Sequence, residues 1–131
     1  MVGAGIANGI RMAYRECEDV NVDFRPIDRK YISLGRTLIG MAHDVDIKDI
    51  NGIIQSDARH MLSNTDRTIY LLAHLHHEQC IDKNGTDIRR LPTVSALSRW
   101  SYEKGYSSQR KCQSFIIDYD KGITDVIYTV I

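Results

Sequence analysis

An α+β fold, with a β-sheet covered by helix on one side, is what this sequence predicts, and three features carry the prediction. Apolar residues recur at helical spacing in two stretches, 5–17 and 46–62. The run 68–73 is apolar almost throughout, as expected of a strand buried on both faces. Asn84-Gly85 separates two β-rich runs, and both residues accept the positive φ of a type I′ turn, so 79–91 reads as a hairpin.

In chain order, Ile6, Ile10, Met12, Ala13 and Cys17 mark one side of an N-terminal helix and Arg11, Arg15 and Glu18 the other, although Gly9 weakens it. Residues 21–26 read as a connection. Runs 30–34 and 37–42 flank Gly35-Arg36 and form a hairpin signal. Helical spacing returns through Ile47, Ile50, Ile53, Ile54 and Met61, with Asp46 as the expected N-cap and Ser63-Asn64 as the stop. After the buried run and the Asn84-Gly85 hairpin, 95–108 is polar, aromatic and irregular, with room for one helical turn. Runs 112–119 and 123–131 then flank the turn Asp120-Lys121-Gly122 as a second C-terminal hairpin. No repeat, low-complexity tract or linker interrupts the chain, so 1–131 is read as a single domain.

Composition narrows the partners. With 43% apolar and 26% charged residues and only 2 Pro, the chain has none of the bias that keeps a sequence disordered. Its 17 basic side chains balance 17 acidic ones, so no global field draws it to nucleic acid or an anionic membrane, and such neutrality favours self-association. No apolar run approaches the ~18 residues that span a bilayer, and 1–10 lacks a basic region followed by a long apolar core, from which no membrane partner and a cytoplasmic location are expected. Cys17, Cys80 and Cys112 are odd in number and widely spaced, which argues against a disulfide framework or zinc ribbon and for buried free thiols.

The histidines are the first candidates for chemistry. If the strand 68–73 runs on, His74 and His76 share a face, because side chains two apart on a strand point the same way, and His77 points away. His43 ends another run, 37–42, and would bring a third imidazole if the two strands are neighbours. Three imidazoles suit one divalent manganese, zinc or iron ion, and leave room for a water. His60 lies within the second helix and faces no obvious partner.

Two stretches, RKYISLGRTLIGMAHD and IYLLAHLHHE, with NGTDIRRLPTVSALSRWSYEKGYSSQRKCQSFIID after them, resemble the C-terminal half of calcineurin-like metallophosphoesterases, most of all those of phages and prophages. The resemblance covers most of 20–131. It implies half of a β-sandwich, with a mixed sheet, two helices on one face and C-terminal hairpins. By that likeness His43 matches the isolated metal-binding His, and His74 and His76 match the two histidines of Gly-His-x-His. The first two would contact one metal and the third another. Ala73 and Asp44 stand where the family has glycine, and Asp44 could add an oxygen ligand. The upstream motifs Asp-x-His, Gly-Asp and Gly-Asn-His-Asp/Glu do not occur in these residues, so the chain is expected to be a free-standing half. Without the bridging carboxylate and the proton-donating His that those motifs supply, two-metal hydrolysis has no machinery here.

Between Asp82 and Cys112, seven Lys and Arg outweigh three acids. Arg89, Arg90, Arg99 and Arg110, interleaved with Trp100, Tyr102 and Tyr106, form a candidate surface for a nucleic-acid strand or a protein partner, through phosphate contacts and stacking. Two functions follow. In the first, the half-domain has no catalysis of its own and acts as a protein-binding module, for example a phage protein that blocks a host nuclease or defence complex. In the second, it is one subunit of a split metal-dependent phosphodiesterase completed by a partner chain. A half sandwich would leave an apolar face or a sheet edge uncovered, so a homo-oligomer or a protein complex is expected.

Overall fold

Strands β1 (Arg29–Leu34), β2 (Thr37–Ala42), β3 (Arg67–Leu72), β4 (Gln79–Lys83) and β5 (Thr86–Arg90) form one sheet in the order β1-β2-β3-β5-β4. This computed structural model describes residues 2–96, 99–105, 107 and 109–131, with backbone alone at 2, 3, 100 and 101. β2, β3 and β5 run parallel at the centre, and β1 and β4 flank them antiparallel through tight hairpins. The fold is α+β, with a mixed sheet and a separate C-terminal hairpin of β6 (Lys111–Asp118) and β7 (Gly122–Val130).

Turn and cap chemistry fixes the β4-β5 hairpin and the start of the second helical stretch. Asn84 and Gly85 take φ of 51° and 81°, as a type I′ turn demands. Asp46 begins the second helical stretch by accepting a hydrogen bond from the Lys48 amide at 2.9 Å, which caps a 3-10 turn, Ile47–Asp49. The α-helix α2 (Ile50–Leu62) follows at once. Ile50, Ile54 and Ala58, four residues apart, put one stripe of α2 onto the sheet, where they bury Leu38, Tyr70, Leu72 and Ile88.

The opposite face carries the alternate residues of the same strands, and there Ile39 and Ile69 are buried as well. Its cover is the β6-β7 hairpin. The Arg36 amide donates to Tyr119 O, and the Arg67 guanidinium to Asp120 O, at the turn end of that hairpin. Lys111, Gln113 and Tyr128 hold Glu78 at its other end. Phe115 and Ile117 are half-buried on the inward side of β6, and Ser114 and Ile116 lie exposed on the outward side. Helix on one face and strand ladder on the other is a layered solution to burying both sides of a central parallel sheet.

Two expectations are corrected. The N-terminal helix α1 (Val2–Ala13) forms, but none of its described side chains is buried, and Ile6, Ile10 and Met12 stand exposed. Only α2 therefore packs against the sheet among the described helices. The short α3 (Arg99–Glu103) is the helical turn foreseen in 95–108. All three cysteines are exposed, since Cys80 lies on the edge strand β4, Cys112 faces outward on the hairpin, and Cys17 follows the undocked α1. Among the described residues no helix is long and apolar enough to cross a membrane.

Candidate functional site at the carboxyl ends of the parallel strands

Ligands of open sheets with parallel strands collect where those strands end, because side chains from several neighbouring strands converge there. In this sheet Ala42, Leu72 and Arg90 end β2, β3 and β5 at one level, as Ala42 pairs with Leu72 and Leu72 with Arg90. The Ala73 amide extends the ladder by donating to His43 O at 3.1 Å. His43 and His74 are thereby brought together. His43 Nε2 lies 3.0 Å from His74 Nδ1, and the rings meet edge to face with centroids 5.0 Å apart. One nitrogen of the pair donates and the other accepts, according to the tautomer of each ring.

The strand premise behind His74 and His76 fails. β3 stops at Leu72, and the Leu75 amide folds back to Ala73 O at 2.7 Å, the hydrogen bond of a three-residue turn. His74 and His76 take positive φ, 45° and 57°, a conformation that costs roughly 1–2 kcal/mol for a residue with a Cβ. The alternation rule does not apply to this loop. His76 accordingly does not join the pair, and among the described residues no three His, Cys, Asp or Glu side chains are placed to hold a metal. His77 Nδ1 turns to Leu75 O at 3.0 Å.

Asp44, the other oxygen considered for a metal, is engaged by Arg90 Nη1 at 3.3 Å. The Arg90 side chain is only 11% exposed, and its buried Nε has no hydrogen-bond partner among the described residues. The loop that carries the histidines is fastened from behind. Glu78 accepts from Lys111 Nζ at 2.5 Å, Gln113 Nε2 at 2.6 Å and the Tyr128 hydroxyl. The Lys111 ammonium, followed by the Tyr128 hydroxyl, holds the Glu78 carboxyl below the usual range. Glu78 was not singled out by sequence reasoning, and its only sequence signal is a carboxylate directly after the histidine run.

Among the described residues each of the four arginines of the basic aromatic segment has a partner within the chain. Arg89 and Arg90 are neighbours on a strand and face opposite sides of the sheet. Arg89 pairs with Asp87 at 2.9 Å and Arg90 with Asp44. Arg99 pairs with Glu103 at 2.9 Å, and Arg110 Nε donates to Val94 O at 3.0 Å. Tyr102 is exposed, while Tyr106 and the side chain of Trp100 lie outside the described residues.

A second polar group, also unforeseen, lies between the sheet and α2. Arg29 reaches Asp57 with two nitrogens, the Tyr31 hydroxyl donates to Asp57 at 2.9 Å, and the Tyr31 and Tyr70 hydroxyls are 3.3 Å apart. Burial, with the Tyr70 bond next, pushes the Tyr31 phenol far above its ordinary value, and the Arg29 guanidinium lowers that of Asp57. This chain of bonds ties β1 to α2. No family model matches the chain, and no curated protein or solved structure matches it.

Proposed function

We propose that this chain is a protein-binding half-domain of the phage metallophosphoesterase type, without phosphodiester hydrolysis of its own. The observation that carries the reading is the hairpin sheet β6-β7, a two-stranded ladder that exposes Ile116, Ile127, Tyr128 and Val130. Long strands with apolar residues on view are an interaction surface by strand addition or by face. A protein partner is favoured over a nucleic acid because Arg89, Arg90, Arg99 and Lys111 each already face a carboxylate, which cancels the charge a phosphate would need. A phage inhibitor of a host nuclease or defence complex is one biological form of such a module.

A second reading is favoured by His43 and His74. Their 3.0 Å separation equals the span of two adjacent ligands at right angles on one ion with bonds of about 2.1 Å. One divalent ion held there would have a phosphate-polarising role, and a partner chain would have to supply the bridging carboxylate and proton donor of a split phosphodiesterase. The purified chain is expected to leave bis-p-nitrophenyl phosphate unhydrolysed in the presence of manganese. Metal-dependent turnover by the chain alone that His74→Ala abolishes would overturn the first reading.

A further inference from the structure

Edge strands of a sheet carry a row of unpaired amides and carbonyls, and folded proteins ordinarily blunt them with charge, proline or covering chain. Among the described residues four strands have a side with no partner strand, β1, β4, β6 and β7, and β6 carries the charges Lys111 and Asp118. β1 carries Arg29 and Lys30, and β4 carries Asp82 and Lys83. β7 has the sequence GITDVIYTV, with Asp125 its one charge and no proline in nine residues.

The hydrogen bonds at the open end of the hairpin show which backbone groups of β7 are free. The Ile131 amide donates to Arg110 O at 3.0 Å, across the ladder. Amides alternate sides along a strand, so those of Val126, Tyr128 and Val130 point away from β6. The Lys111 amide agrees: Lys111 is opposite Val130, and it points outward from β6 to Thr93 O at 3.1 Å. The outer edge of β6 is met at Lys111 by Thr93 O, and beside it Arg110 Nε donates to Val94 O. Among the described residues nothing from outside the hairpin bonds the outward groups of Val126, Tyr128 or Val130.

We infer that this free edge of β7 pairs with itself: a second copy of the chain adds its own β7 antiparallel, with Ile127 on the two-fold axis. The register follows from side-chain chemistry. With Ile127 opposite Ile127, the outward-pointing backbone of Val126 meets that of the second copy's Tyr128, and the exchange is repeated by symmetry. On the exposed face Asp125 then stands opposite Thr129, which can donate to it, and the two exposed isoleucines cover each other. Sliding the strands to put Asp125 on the axis would set two carboxylates face to face. The chain's zero net charge opposes no such association. This inference rests on the binding reading above and names the partner as the chain itself.

The test is the mass of the full chain in solution at tens of micromolar. Sedimentation should give twice 15.0 kDa for the wild type. Ile127→Lys places two ammonium groups on the axis and should raise the dissociation constant more than about tenfold, with far-UV circular dichroism unchanged because Ile127 is exposed in the monomer. Thr129→Lys sets a cation against Asp125 of the other copy and should tighten the dimer. This second variant decides the matter even if the first fails to fold. A wild type of single-chain mass, a dimer indifferent to Ile127→Lys, or a dimer that Thr129→Lys leaves unchanged or loosens would each overturn the inference. A chain of single mass that still captures a different protein through β7 would overturn self-pairing and leave the binding reading standing.

Discussion

Gly40 sits in β2 opposite Tyr31 and beside Tyr70. A Cβ there would lie 2.5 Å from two carbons of the Tyr70 ring and 3.1 Å from Tyr31 Cε1. Neither ring can withdraw easily. Tyr70 is fully buried, its ring stacks edge to face on Tyr31 at 6.0 Å, and the two hydroxyls and Asp57 are bonded in a row. Gly40→Ala is therefore expected to destabilise the fold by about 1–3 kcal/mol, the usual penalty for overpacking, as read from the midpoint of urea unfolding. An unchanged midpoint would show that the rings have somewhere to go. Replacing Asp57 by Asn should act on the same junction, since it removes the charge partner of Arg29 and the anionic acceptor of Tyr31.

Regular elements were readable because each rests on local chemistry. The Asp46 cap, the i, i+4, i+8 stripe of α2, the Asn84-Gly85 turn and the buried β3 all lie where spacing alone puts them. The Ile54 side chain, 2% exposed at the centre of that stripe, gives the stripe's weight a direct measure. Ile54→Ala should lower unfolding stability by about 2–5 kcal/mol, with the loss visible in both helical and near-ultraviolet circular dichroism. The histidine loop was not readable in the same way. His43 and His74 do meet, as neighbouring strand ends require, but the separation of His76 depends on a turn at His74 with positive φ that no periodicity announces. The docking of α1 failed for the complementary reason. Amphipathic spacing shows that a helix has an apolar side, not that a surface is waiting for it, and here the Arg11 guanidinium of α1 lies over the exposed Phe24 ring at 4.2 Å.

At the scale of the whole molecule, two covers of different kinds flank the central sheet. α2 is held mainly by fully buried apolar side chains, Ile50 and Ile54 against Leu38 and Leu72. The β6-β7 hairpin buries its inward residues only partly and is pinned at both ends by polar groups, with Glu78 at one end and Arg36 and Arg67 at the other. Acid should act on these covers unequally. Glu78 has its carboxyl lowered by Lys111 and Tyr128, and Asp118, in the hairpin turn, is lowered by the amides of Asp120 and Lys121. A carboxyl lowered on folding stabilises the native state fully above its unfolded value, near ~4.3 for Glu and ~3.9 for Asp, and that contribution disappears as pH falls through the folded value. Below about pH 4 the hairpin should therefore loosen while the apolar α2 face still holds the sheet. Asp57, lowered by Arg29, is lost in the same range, but the α2 junction it serves retains its buried core. Hydrogen exchange at single residues, expressed as protection factors, should show β6 and β7 amides losing protection on acidification before those of β2 and β3. In Glu78→Gln the hairpin should be weaker at neutral pH and its protection should vary less with pH, because the titrating group is gone while Tyr128 and Gln113 keep an acceptor. Equal and simultaneous loss across β2, β3, β6 and β7 would show that hairpin and sheet open as one unit, and the polar pins would then be decoration on a single cooperative core.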